Sequence, residues 1–199
     1  MPRQVDHEGR RLLVADAVLA LADERGLEGV TLRDVAARAG VSMGAVQRCF
    51  RTKEEMLVFA LTHIGERITG RVRQDPAGGP ERSARTALRH AATEVSLLRQ
   101  EHRAEARIWL AFLAQAVVSA PLARTLRTDY AALEDAFTRL VGQAAEETGA
   151  QTGPDDARRA ARTLLALADG LTAHVLVGHL TPRQAQEVLG GHLAGLLGP

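Results

Sequence analysis

The sequence predicts an all-α protein of about nine helices, with a small N-terminal domain of three helices over residues 1–52 and a larger C-terminal helical domain over residues 53–199. Three observations carry this. Hydrophobic residues make up 46% of the chain and aromatics only 3%, so the core is aliphatic. Alanine, leucine and arginine also far outnumber the strand-favouring residues. Apolar residues recur at helical spacing through most of the chain. Capping residues and prolines stand where those periodic stretches begin.

In residues 7–25, Leu12, Ala15, Val18, Leu19 and Ala22 form one helical face, which Gly26 terminates. Thr31 is suited to cap a short helix over 32–39 that turns Val35, Ala36 and Ala39 inward. Gly40-Val41-Ser42 makes a tight turn, and Ser42 caps a third helix over 43–50 that buries Val46 and Phe50. Thr52-Lys53-Glu54-Glu55 has capping-box spacing. It opens a long helix to about Gln74, with Leu57, Ala60, Leu61, Ile64, Ile68 and Val72 on one stripe. Asp75 to Pro80 is the clearest linker. Helices follow at about 82–100, 103–118, 121–147, 154–179 and 182–197, with Pro121, Pro154 and Pro182 in first turns and a second capping box from Thr181 to Gln184. Ile108 to Val118 is apolar on every side except Gln115, which predicts a helix at the centre of its domain.

Several function classes fall away. There is no run of eighteen apolar residues to span a membrane. The N-terminus lacks the apolar segment of a secretion signal. Cys49, the single cysteine, has no intramolecular disulfide partner, and a cytoplasmic location is the simplest reading. The chain has no glycine-rich phosphate loop, no zinc-spaced Cys or His set and no GxSxG elbow. Its seven histidines (His7, His63, His90, His102, His174, His179 and His192) are scattered. No enzyme, cofactor or metal is expected. The net charge is +1, but residues 1–53 are net basic and the remainder net acidic, a distribution that fits a polyanion partner for the N-terminal part. Lys53 is the only lysine beside 24 arginines.

Thr31 to Phe50 has the layout of a helix-turn-helix, in which two short helices flank a three-residue turn. Gly40 permits a positive φ there. Ala36 and Val46 are slim where the helices touch, and the second helix is free to enter a major groove. The string Arg11-Leu12-Leu13, Ala17, Gly26, Thr31, Arg33-Asp34-Val35-Ala36, Ala39-Gly40-Val41-Ser42, Gly44, Phe50 and Lys53-Glu54 resembles the N-terminal domain of the tetracycline-repressor (TetR) family over residues 10–64. The resemblance implies a homodimer on a palindromic operator in double-stranded DNA, usually a repressor released by a small-molecule effector. The DNA-facing set it implies is Thr31, Arg33, Ser42, Met43, Gly44, Ala45, Gln47, Arg48, Cys49 and Lys53. Thr31 and Arg33 then meet phosphates from the second helix, Arg48 clamps a phosphate, and Lys53 reaches the backbone from the start of the fourth helix. Gln47 and Cys49 depart from the family, which often has tyrosine at the first position and histidine or tyrosine at the second. Gln47 is either a reader of adenine N6 and N7 or a solvated residue. Cys49 is either a small, partly buried filler or a redox-sensitive thiol.

Residues 80–199 resemble the family's regulatory domains in helix number and length. Arg107 to Leu113 and Leu164 to Leu171 are similar to the betaine-regulator (BetI-like) subgroup. Trp109, Phe112, Tyr130, Phe137, Asp169 and His174 are candidate effector contacts, or else plain core and satisfied polar groups. The effector expected is a small apolar or cationic compound between the Trp109–Phe112 helix and the helix carrying Asp169 and His174. Leu164, Ala168, Leu171 and Val175 form one stripe of the 154–179 helix, and Leu167, Gly170, His174 and Gly178 a second. With Leu171 and with Leu189, His192, Leu193 and Leu196 of the last helix, the second stripe is a candidate dimer interface, a four-helix bundle across a two-fold axis. An internal core is the alternative. Two other readings remain: a helical ligand-binding or interaction protein that no longer uses its helix-turn-helix, and an activator or architectural DNA binder.

Overall fold

The computed structural model describes residues 2–73, 83–149 and 152–197, and the expected 75–80 linker lies outside them. Nine α-helices fill the described residues, with no strand among them. They are α1 (Pro2–Arg25), α2 (Leu32–Arg38), α3 (Met43–Cys49), α4 (Lys53–Arg73), α5 (Ala84–Val95), α6 (Arg103–Ala116), α7 (Ala120–Glu147), α8 (Pro154–Leu176) and α9 (Pro182–Leu197). No helix among these residues is long and apolar enough to cross a membrane. The chain groups into two compact units, Met1–Arg67 with Arg107–Leu126, and Ile68–Ala106 with Arg127–Pro199.

Local chemistry sets most helix ends. Gly26 closes α1 at φ +72. Thr31, Ser42 and Ser83 each accept a backbone N–H of the helix they cap. Thr181 and Gln184 form a reciprocal box at α9, with each backbone N–H bonded to the other's side chain. At α4, Thr52 Oγ1 accepts the Glu55 N–H at 3.0 Å, but the Glu55 carboxylate takes the N–H of Arg51, one residue before the expected partner.

Three ends differ from the periodicity. The 82–100 stretch breaks after Val95 because Leu97 adopts φ +50, and a 3-10 turn over Gln100–His102 follows. The break sends Leu97 and Leu98 into the core and leaves the Ser96 carbonyl to accept from Thr172 Oγ1. Helix α8 stops at Leu176, since Gly178 sits at φ +78 and the His179 N–H returns 2.9 Å to the His174 carbonyl, a Schellman-type end. Gly178 therefore closes the helix rather than extending its stripe. Helix α6 ends at Ala116. Ile108, Trp109, Phe112 and Ala116 are buried, but Val117 and Val118 are about four-fifths exposed, so the segment is central on one face only.

In the first unit, Val14, Val18, Val35, Val46, Phe50, Leu61 and Phe112 form an aliphatic core with two phenylalanines in it. In the second, Leu88, Phe137, Leu164, Leu189 and Leu193 do the same. The second unit also buries Glu94. Its carboxylate meets Arg99 at 2.8 Å and Arg71 at 3.1 Å, and Arg71 reaches Glu105 at 2.7 Å. A buried charge is tolerated only with such partners. His102 lies at the edge of this cluster, 6% exposed, with Nδ1 buried and without a hydrogen-bond partner.

Burial pushes the His102 imidazole below its ordinary pKa and Arg71 adds to this, while Glu94, Glu105 and Glu101 pull the other way. The native state therefore holds His102 neutral where the unfolded chain takes up a proton, at about pH 6.5 and below. Its contribution to stability is complete above that value and is lost as pH falls toward the lowered folded pKa. Urea midpoints are expected to fall between neutral pH and about pH 5.5, and His102→Gln is expected to flatten that fall. Parallel profiles for the two proteins would contradict the assignment.

Candidate nucleic-acid interface

The second and third helices are seven residues each, too short to persist alone in water, so packing holds them. Helix α3 lies against α1 and α2. The turn between them depends on Gly40 at φ +65, and the Val41 N–H donates to the Ala36 carbonyl at 3.0 Å. Ser42 Oγ accepts from the Ala45 N–H at 3.2 Å and fixes the start of α3.

The burial of α3 sorts the candidates. Ala45, Val46 and Cys49 share the inner face, while Met43, Gln47 and Arg48 are exposed, as are Ser42, Thr31 and Arg33. Ala45 and Cys49, both expected at the DNA, instead pack inward; a spacing of four residues puts them on one face, beside Val46. Cys49 is a small buried residue. Gly44 is half-buried, and the Arg48 guanidinium lies alongside it, 3.6 Å from where a Cβ would stand. Thr31 Oγ1 accepts from the Asp34 N–H and donates to the Asp34 carboxylate at 2.8 Å. Lys53 is half-buried, its Nζ 3.4 and 3.5 Å from the carbonyls of Leu27 and Glu28, so the lone ammonium ties the start of α4 to the loop after α1.

Charge pairing sorts the arginines of this unit. Arg38 meets Glu24 at 2.7 Å, and the hydrogen bond holds the Glu24 carboxyl below its usual range. Arg25 meets Asp34 at 3.4 Å, and Arg107 forks onto Asp23 at 2.6 and 3.0 Å. Arg33, Arg48 and Arg51 are exposed, and among the described residues their guanidinium groups pair with no carboxylate. An exposed guanidinium without a counter-ion beside a groove-sized helix is the footprint of phosphate recognition. Sequence spacing does not single out Arg51, because it does not separate arginines that brace a carboxylate from those that do not. Arg11 also stands apart: its guanidinium carbon lies 4.2 Å from the Phe59 ring centroid and 5.0 Å from that of Phe50, and those two rings are 5.4 Å apart.

The candidate effector residues divide between the units. Trp109 and Phe112 are buried in the first. In the second, Tyr130 Oη donates to the Asp169 carboxylate, Phe137 is packed into the core, and His174 is exposed with its ring 4.9 Å from that of His179. Of the candidate interface residues, Leu171, Leu189 and Leu193 are buried in the subunit's own core, Leu167, His192 and Leu196 are half-buried, and Gly170, His174 and Gly178 are exposed.

Comparison with known proteins agrees with this geometry. Residues 14–58 match the tetR family of bacterial regulatory proteins, and residues 84–198 match the C-terminal domain of BetI-type transcriptional repressors. The transcriptional regulator BetI of Burkholderia mallei is 30% identical over 206 aligned positions, covering 100% of this chain and 99% of that protein. A crystal structure of a transcriptional regulator from Rhodococcus sp. Rha1 is 30% identical with a TM-score of 0.80, covering 94% of this chain and 95% of the other. At 20% identity, a putative regulator from Saccharomonospora viridis, crystallised in complex with choline, shares the fold with a TM-score of 0.80 over 92% of this chain and 95% of its own. These matches define a DNA-binding transcription regulator. The chain belongs to the TetR family, with a C-terminal domain of the BetI type.

Gly40 offers a clean test of the turn. A Cβ there meets nothing within 4 Å, so any penalty is backbone strain at φ +65 rather than a clash. Gly40→Ala is expected to cost about 1–2 kcal/mol in chemical denaturation and to weaken DNA binding with it.

Proposed function

We propose that this chain acts as a homodimeric repressor that sits on a palindromic operator and leaves it when a small organic effector binds its C-terminal domain. The observation that carries the DNA half is the outer face of α3, where Gln47 and Arg48 stand exposed on a helix whose other face is fixed in the core. In this reading Gln47 contacts a base edge, and Arg48, Arg33, Thr31 and Lys53 contact phosphates. Lys53 must then exchange its long contacts to the Leu27 and Glu28 carbonyls for a phosphate oxygen.

The dimer reading is supported by the outer side of the last two helices. Gly170, Val177, Val188, Gly191 and Gly195 are exposed, a small and apolar surface that costs little to desolvate. The effector reading draws on the Tyr130–Asp169 pair, a polar anchor set among half-buried apolar residues. It draws also on the choline held by the Saccharomonospora viridis protein of the same fold. An effector acts only through its difference in affinity for the bound and released states. A hundredfold loss of DNA affinity requires about 2.7 kcal/mol of coupling.

Selection of bound duplexes from random DNA is expected to yield an inverted repeat. Against that sequence, Gln47→Ala is expected to relax preference at one base pair per half-site at about 1–3 kcal/mol. Lys53→Ala is expected to weaken all sequences alike and lower the salt dependence by about one contact per subunit. Uniform weakening by Gln47→Ala would reassign Gln47 to the backbone.

Sedimentation tests the assembly. Wild type is expected at twice 21.3 kDa. Gly170→Arg, at a position open on its outer side, is expected to give a folded monomer that binds the inverted repeat poorly. A monomeric wild type at micromolar concentration would refute the dimer.

A further inference from the structure

Arg11 lies outside the helix-turn-helix, on α1, yet it touches the end of the recognition helix. Phe50 caps α3, Phe59 lies on α4, and the Arg11 guanidinium stacks against both rings. Its Nε is buried and has no hydrogen-bond partner. Among the described residues no carboxylate pairs with it, although this unit supplies carboxylates to Arg25, Arg38 and Arg107. An aliphatic side chain would fill the same space between two rings without carrying a half-buried, uncompensated charge. The rings do something for a guanidinium that they cannot do for an aliphatic side chain: they attract its charge and so hold a rigid fork of donors beside the end of the recognition helix.

We propose that Arg11 is a DNA-phosphate contact, a cation that Phe50 and Phe59 hold in place and whose missing counter-ion is a phosphate of the bound duplex. It rests on the family's DNA-binding activity and adds α1 to the contacting surface. A contact of this kind fixes the position of α3 on the duplex without reading sequence. Because Phe50 ends α3, the same side chain links the placement of the reading helix to the backbone it lies along.

The probe is a random-sequence duplex, so no operator need be known. Binding is followed by fluorescence anisotropy across a salt series, with far-UV circular dichroism and thermal midpoints beside it. Arg11→Met keeps an apolar stem on the rings, Arg11→Gln keeps a flat polar group, and Arg11→Lys keeps the charge. Both charge-free variants are expected to fold and to lower the slope of log affinity against log salt by about 0.9 per subunit, while Arg11→Lys restores most of it. An unchanged slope in a folded charge-free variant would overturn the proposal, whatever happens to the midpoint. Loss of fold in both would show that the charge serves the ring stack itself, and would overturn it as well. If Arg11 changes the slope while Gln47→Ala leaves sequence preference intact, this contact stands and the base-reading assignment fails on its own.

Discussion

Seven residues make about two turns of helix, and two turns do not hold together in water. The DNA-facing surface of this protein depends on that limit, because everything that keeps α3 helical must come from outside it. Ser42 satisfies one end, Phe50 seals the other, and Val46, fully buried, is the rivet between. The inner face takes Ala45 and Cys49 as well, so little more than Met43, Gln47 and Arg48 is left to meet a groove. A small exposed face is the cost of a short, well-anchored helix, and the proposed reading of DNA through it therefore draws on backbone contacts from neighbouring helices for affinity.

Electrostatics follows the same division of labour. Arginines that brace one helix against another have carboxylates on them: Arg38 on Glu24, Arg107 on Asp23 and, in the second unit, Arg71 on Glu94 and Glu105. Those on the exposed outer side of the helix-turn-helix do not. A surface ion pair contributes little to stability in water, so leaving the guanidinium groups of Arg33, Arg48 and Arg51 without a carboxylate among the described residues costs the fold almost nothing and leaves their charge available to the proposed DNA contact. The near-zero net charge hides this arrangement, since it sums braces and contacts together.

Helix starts were legible in the sequence because their signals are local. Thr31, Ser42 and Thr181 each bond within three residues of themselves, and a spacing rule captures them. Periodicity runs the 82–100 helix straight through its break because that break is tertiary: the Ser96 carbonyl accepts from Thr172, 76 residues away. Val117 and Val118 looked central because periodicity records hydrophobicity, not whether a neighbour arrives to cover it. Among the site residues, Gln47 and Arg48 could be placed on the outer face by their offset from Val46. Resemblance alone assigns Ala45 and Cys49 to the DNA, whereas that same offset sets them on the buried face. The pairing of each arginine, and the ring stack under Arg11, depend on distances that no linear pattern encodes.

The lone lysine has a consequence for anyone handling the protein. Amine-directed chemistry, whether a fluorophore ester, a crosslinker or an activated sensor surface, finds one side-chain target in 199 residues, and that target sits at the first turn of α4. Acylation there would cancel the charge and break the ammonium's contacts to the loop after α1. A label meant to be silent would fall at the edge of the helix-turn-helix, whereas thiol chemistry on buried Cys49 would be slow. Tagging without disturbance therefore calls for an introduced cysteine on an exposed helix face of the C-terminal domain.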